Sequence, residues 1–325
     1  MKALVLHGPN DLRFEELPKP ENLQKGQVLV KMAYAPINPS DLAFLTGNYG
    51  IKKEYPVVPG LEGSGTVVSS GGGLYANYLK GKNVACVAGN QHGTWAEYML
   101  ADATRCVVLG GSVSLEQGAM AFVNPLTAIE MVDIAKKGNY SAIVLSAAGS
   151  ALAKMIVYQA EKVGIPVVGI VRKAAQEKEL RNAGFAEVFV SSQDMWQSEL
   201  KQWAKGKGKM LFLDAIGGGA VPFAILAALP AYSKMLTYGR LDPAPPEMNP
   251  RDFIFQAYQL EGYWLNRTAG QKTFLQAFGA TRKVQDMLKN GFETQIQGKF
   301  APTHFEKAIE QYAQHMSNGK VLFEF

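Results

Sequence analysis

Short apolar runs open the chain: ALVL, QVLVKMAYA, GSGTVVSS and KNVACVAG, then GTWAEYMLA and RCVVLG. Clusters of turn-forming residues separate them, so each reads as a short strand. The first 120 residues are therefore expected to form a β-rich, barrel-like domain. The rhythm changes at SLEQGAMAFVNPLTAIEMVDIAKKG, where apolar positions recur at helical spacing around Pro125. Strands and helices then alternate. SAIVLSAA (141–148) is a buried-type strand and SALAKMIVYQAEKVG (150–164) a helix. IPVVGIVRK, AEVFVSS, KMLFLDAIGG, KMLTYGRL and YQLEGYWL read as further strands, with AQEKELRNAG, MWQSELKQWAK and AVPFAILAALP as helices. Apolar strands joined by helices mean a parallel sheet covered on both faces. Right-handed crossovers make it a doubly wound domain of the dinucleotide-binding kind.

Beyond residue 265 come two long helical patterns, TFLQAFGATRKVQDMLKNG and HFEKAIEQYAQHM, and a closing strand, KVLFEF. A lone terminal strand needs a sheet to join, and that of the first domain is the expected host. The expectation is a discontinuous catalytic domain, 1–120 and 266–325, with a nucleotide-binding domain inserted at 121–265.

Composition narrows the function classes. A chain of 325 residues suits two domains, and 47% hydrophobic with 19% charged residues is a globular balance. The net charge of +5 comes from scattered lysines, which argues against nucleic acid as a partner. KGKGK (205–209) reads as a solvated loop or as a docking patch for an acidic carrier. Two cysteines, Cys86 and Cys106, cannot build a disulfide framework or a thiolate metal cluster, which fits a reducing compartment. No apolar run reaches the roughly 20 residues of a membrane span. MKALVLHG alternates like a strand rather than a signal peptide. The expected location is the cytoplasm or the mitochondrial matrix.

The turn after the first strand of the alternating region is AAGSALA (147–153). A dinucleotide loop needs a tight turn, close backbone approach to the pyrophosphate and a helix N-terminus aimed at it. Ala148, Gly149, Ser150 and Ala151 are small enough to supply this, although glycines are few. Ser150 could cap the helix or bond a phosphate. At the end of the second strand, where NADH enzymes carry an acid for the ribose hydroxyl, stand Arg172 and Lys173. Two cations there favour the 2′-phosphate of NADPH, unless they are a plain surface pair.

The pieces INPSDL, VPGLEGSGTV, GTWAEY, VNPLTA, AAGSALA, IVRK, DAIGG, YGRL, EGYW and GKVLFEF follow in an order and spacing that resemble the medium-chain dehydrogenase/reductase superfamily over essentially the whole chain. The resemblance implies an α/β protein: a GroES-like β-barrel catalytic domain plus a doubly wound parallel Rossmann domain. Zinc-dependent members place a Cys in the segment matching INPSD and a His in that matching GLEG. Here those positions are Asn38 and Leu61. Glu62 alone does not hold zinc, and His7, His92, His304 and His315 have no ligand spacing, so no metal is expected. Without a Lewis acid, reduction of an activated C=C bond is easier than alcohol oxidation. The zinc-free branches implied are quinone or enone reductases and 2-enoyl thioester reductases.

That chemistry needs a proton donor and donors for an enolate oxygen. Tyr49, in TGNYG, matches the segment where enoyl thioester reductases carry a proton-donating tyrosine; in quinone reductases a tyrosine there lines the substrate site. Asn38 offers its amide to the nicotinamide or the substrate carbonyl. Asp41 is expected to cap the following helix. The resemblance further implies cofactor contacts from Thr127, from Ala148 through Leu152, and from Ile216, Tyr238, Gly239, Arg240 and Lys320, with Trp264 walling the substrate pocket or sitting in a core or interface. Three functions stay open: an NADPH-dependent enoyl thioester reductase, an NADPH quinone or enone oxidoreductase, and a non-catalytic subunit of a larger assembly. YQLEGYWL, as an edge strand, would invite pairing with its copy in a homodimer.

Overall fold

The computed structural model describes residues 1–89, 92–270 and 274–325, and the side chains of 1–89, 92–268 and 279–325. The chain divides into two compact units, Met1–Leu126 with Phe274–Phe325, and Thr127–Thr273. These boundaries lie a few residues beyond the expected 120/121 and 265/266. The reasons are local. Glu62 holds the backbone of Phe122 and Val123, so the start of the helix Val123–Lys137 belongs with the first unit. Thr268, in the helix Leu265–Gly270, bonds Glu130, which keeps that helix in the second. The predicted helix from Thr273 runs over Phe274–Lys289; Thr273 itself lies outside the described residues.

The first unit is built on a seven-stranded sheet. Its longest strand, Gln27–Pro36, pairs antiparallel with Glu62–Ser70 and Tyr98–Asp102. The closing strand Lys320–Glu324 joins this sheet, antiparallel to Gln27–Pro36 and parallel to Ile296–Phe300. The core packs Trp95 edge-on against Phe323, ring centres 4.9 Å apart, among Leu4, Leu6 and Ile37. Strand Ile296–Phe300 was not predicted: its residues are only half-buried or exposed, and IQGKF lacks an apolar face.

The second unit carries six parallel strands: β1 (Ile143–Leu145), β2 (Val167–Val171), β3 (Glu187–Val190), β4 (Leu211–Asp214), β5 (Lys234–Thr237) and β6 (Gln259–Gly262). Their order in the sheet is β3-β2-β1-β4-β5-β6, all parallel, the doubly wound arrangement. Strands β1, β2 and β4 are buried at every residue, as near-continuous apolar runs require. The two edges differ. At β3, Glu187 accepts from the Val188 N–H (3.1 Å), and Arg181, paired with Glu187, donates to the Val188 carbonyl (3.4 Å). At β6 all four residues are exposed. Among the described residues no helix is long and apolar enough to cross a membrane.

Candidate functional site

In the first unit, four polar side chains share one buried network. Asn38 precedes the helix Pro39–Leu45, where Pro39 opens the first turn with its ring already set for helix. The Asn38 N–H donates to Asp41 Oδ2 (2.8 Å), and the Leu61 N–H donates to Asp41 Oδ1 (3.1 Å). Asp41 thus caps the helix, as expected, and also ties it to the segment entering Glu62–Ser70. Asn38 Nδ2 donates to Glu62 Oε1 (3.0 Å), and Lys320 Nζ donates to Asn38 Oδ1. Glu62 Oε2 accepts the N–H groups of Phe122 (3.0 Å) and Val123 (2.9 Å). Asn38, Asp41 and Glu62 are each 1% exposed and Lys320 3%.

This arrangement sets the Asn38 amide in one orientation. An ammonium can only donate and a carboxylate can only accept, so a flipped amide would oppose like partners at both ends. Of the donor and acceptor capacity expected of Asn38, the network takes the oxygen and one N–H. Burial pushes Asp41 up to about 7, partly offset by its backbone donors and by Lys320. Burial likewise raises Glu62 and lowers Lys320, and their mutual attraction opposes both shifts. Lys320 holds Asn38 at one of the two expected metal-ligand positions, and Leu61 adds only hydrocarbon at the other. Among the described residues no three His, Cys, Asp or Glu side chains come close enough to hold a metal ion. His92 is exposed, its Nδ1 accepting from the Val58 N–H at 3.1 Å, and His7 faces Glu15 at 2.8 Å. Tyr49 is half-buried and packs with Leu42 and Ile51 against the core of this unit.

In the second unit, the loops at the carboxyl ends of the strands carry the expected cofactor residues. After β1, Ala147 takes a left-handed backbone (φ 48°), a strained conformation for a residue with a Cβ. It turns the chain into Ala148, Gly149 and Ser150. The Ser150 hydroxyl accepts from the Ala153 N–H (3.2 Å), so it caps the helix Ala151–Glu161. Ala148 sits hard on β2: a Cβ added to Gly169 would lie 2.8 Å from that of Ala148. After β2, Arg172 and Lys173 are both exposed, and among the described residues no carboxylate engages either. The helix N-terminus and these two cations fit a dinucleotide carrying a 2′-phosphate.

Asp214 closes β4 and was not singled out from sequence. It is fully buried and accepts from Ser146 Oγ (2.9 Å), Ile216 N–H (3.0 Å) and Gly217 N–H (2.9 Å). Burial raises its carboxyl, and these donors pull it back. Asp214 thereby fixes Ile216, while the Tyr238 N–H donates to the Asp214 carbonyl (2.9 Å). Gly239 is obligatory by contact, since a Cβ there would lie 2.6 Å from the Ala215 carbonyl oxygen. Burial, with Asp214 nearby, pushes the Tyr238 phenol above its ordinary value. Arg240 is exposed and donates to the Pro243 carbonyl (3.2 Å). Thr127 is buried, and Trp264, half-buried, follows β6. The structure thus gathers Ala148 to Leu152, Arg172, Lys173, Ile216, Tyr238 and Gly239 at one edge of one sheet, and Asn38 with Lys320 in the other unit. Glu62 was seen only as a leftover ligand. Its signal was its place two residues after Gly60, in GLEG.

Known proteins match this architecture. The GroES-like domain of alcohol dehydrogenases matches residues 24–111. A provisionally named NADPH:quinone reductase from Mesorhizobium loti, solved as a crystal structure, is 34% identical, with a TM-score of 0.89, covering 100% of this chain and 98% of that one. The mitochondrial enoyl-[acyl-carrier-protein] reductase of Arabidopsis thaliana is 29% identical over 273 residues, which is 81% of this chain and 72% of that protein. The complex of Etr1p with NADP and crotonyl-CoA shares the fold, with a TM-score of 0.84 at 20% identity over 100% of this chain and 99% of that one. With 34% identity to a solved relative over the whole chain, the chain belongs to the zinc-free medium-chain dehydrogenase/reductase superfamily.

Proposed function

We propose that this chain is an NADPH-dependent reductase of activated C=C bonds, with 2-enoyl thioesters as its substrate class. The observation that carries the cofactor reading is the exposed pair Arg172 and Lys173 at the end of β2, with no acid among the described residues paired to either. The second unit binds the nucleotide: the N-terminus of the helix Ala151–Glu161 takes the pyrophosphate, and Arg172 and Lys173 take the 2′-phosphate. Bound NADPH supplies a hydride to the β-carbon of the substrate. Charge would then move onto the thioester oxygen, and the Tyr49 hydroxyl would deliver a proton to the α-carbon. Asn38 is held by Glu62 and Lys320 with one N–H left to donate, which suits an oxygen that gains charge. The mitochondrial enoyl reductases among the relatives support the thioester class and a mitochondrial setting.

One finding favours a second reading. The solved relative at 34% identity carries a quinone reductase name, and quinones accept the same hydride. NADPH oxidation with crotonyl-CoA and not with a small quinone supports the thioester class; the reverse assigns quinones. A Tyr49→Phe variant that keeps its turnover removes that residue as the acid. The exposed β6 edge supports a homodimer paired through β6, set against the capped β3 edge. A single monomeric species in sedimentation at micromolar concentration would refute that pairing.

A further inference from the structure

The chain has two cysteines, and the fold of the first unit sets them opposite one another. Strand Asn83–Val87 pairs antiparallel with Cys106–Val108, in a register that matches Cys86 with Cys106. The ladder fixes what kind of pair they form. The Leu109 N–H donates to the Asn83 carbonyl (2.9 Å), so residues 83 and 109 are a hydrogen-bonded pair. Bonded and non-bonded pairs alternate along antiparallel strands, which makes Cys86 and Cys106, three positions along, a non-bonded pair. The Cys106 N–H agrees: it donates to the Ala103 carbonyl and not across the ladder. Opposed residues of this kind have Cα atoms about 4.5 Å apart and side chains on one face, within the roughly 4.4–6.8 Å that a disulfide spans.

Both thiols are free and buried in one apolar cluster with Met32, Val84 and Met99. Each rests against a carbonyl: Cys86 Sγ donates to that of Gly63 (3.5 Å) and Cys106 Sγ to that of Asp102 (3.9 Å). A turn about χ1 at each residue brings the sulfurs together. Burial pushes both thiols up, Cys106 to about 12, so neither is a ready nucleophile in the closed fold. Access lies at the sheet edge. Cys106–Val108 is the last strand of the seven-stranded sheet and three residues long, the kind of element that opens locally.

We propose that Cys86 and Cys106 are a dithiol site for peroxides that closes to one intrachain disulfide across the ladder. Opening of the edge strand brings Cys106 to solvent first. Its sulfur takes one oxygen from hydrogen peroxide, giving a sulfenic acid and one water. The Cys86 sulfur then attacks the sulfenic sulfur. The S–S bond forms as the S–O bond breaks, and the hydroxyl leaves as a second water with the Cys86 proton. Two thiols lose two electrons, and one peroxide is reduced to two waters. The bond ties the edge to a strand that pairs Cys86 with Gly63, next to Glu62.

The test treats the folded protein with hydrogen peroxide near neutral pH and reads it by mass spectrometry without reductant. Trypsin cuts after Lys82, Arg105 and Lys136, so the cysteines fall in separate peptides, 83–105 and 106–136. The expected product is a chain two hydrogens lighter, with those peptides joined and both thiols lost together, and dithiothreitol restores them. In Cys106→Ala the Cys86 thiol should be lost about tenfold more slowly, because the edge no longer offers the first sulfur. Cys86→Ala should stop at the Cys106 sulfenic acid, trapped by dimedone, which serves if Cys106→Ala does not fold. Thiols that stay free, that oxidise to sulfinic acids without a link, or that link two chains overturn the proposal. A link that forms only in urea overturns it as well.

Discussion

Asp214 in the second unit and the Asp41–Glu62 pair in the first are all buried carboxylates under loop backbone, yet they are satisfied differently. Asp214 has no cation among its bonded partners; two backbone N–H groups and the Ser146 hydroxyl serve it, with the Thr237 hydroxyl at 3.5 Å. Its work is geometric: it sets the turn after β4 and, through backbone contacts, the start of the loop after β5. Asp41 and Glu62 also hold backbone N–H groups, but two carboxylates buried together need a counter-charge, and Lys320, bonded from the closing strand to the Asn38 amide that also donates to Glu62, attracts both. The lesson is that one buried carboxylate can be carried by dipoles, whereas two in one network recruit an ion.

The largest expected effect falls on that ion. Lys320→Met strands two buried acids and should cost roughly 3–5 kcal/mol of stability in urea unfolding. A loss under 1 kcal/mol would mean the acids are neutral without it, and the contrast with Asp214 would vanish. Arg172→Ala removes a charge-assisted phosphate contact and should weaken NADPH binding roughly tenfold or more while leaving NADH little changed. Equal losses for both nucleotides would undo the 2′-phosphate assignment. Asp214→Ala leaves several donors without an acceptor, for about 1–3 kcal/mol. It should also weaken NADPH, because the loops after β4 and β5 lose their tie.

A further effect is a pH slope. Asp41 stands at about 7 in the folded chain against about 4 when unfolded. Folding therefore takes up a proton between those values. The stability that goes with the proton is full below about pH 4 and is lost as pH rises toward 7. Glu62, raised as well, acts in the same sense. The melting temperature should fall from pH 5 to pH 7, and Asp41→Asn should flatten that slope. A melting temperature rising over that range would contradict the buried-acid account.

Much of this was legible in the residues. Apolar β1, β2 and β4 fixed the parallel sheet, and the small residues of AAGSALA marked the tight turn into the helix after β1. Asn38 and Leu61 marked the vacated metal positions. What stayed hidden were pairings made across long sequence separations. Lys320 and Asn38 are 282 residues apart, and no local pattern says that one bonds the other. Glu130 reads as an ordinary polar residue within a helix until Tyr263 and Thr268 are folded onto it. Strand Ile296–Phe300 was missed because a half-exposed edge need not alternate. The unit boundaries slipped because hydrogen bonds from Glu62 and to Glu130, not composition, decide where the flanking helices belong.

The most direct test of the central claim follows the hydride itself. NADPH deuterated at the transferring position is incubated with crotonyl-CoA and chelator-treated protein, and the product is read by mass spectrometry and NMR. The account predicts one deuterium at the β-carbon of butyryl-CoA, with solvent hydrogen at the α-carbon. No transfer from NADPH to any conjugated acceptor, or transfer that requires added zinc, would contradict it.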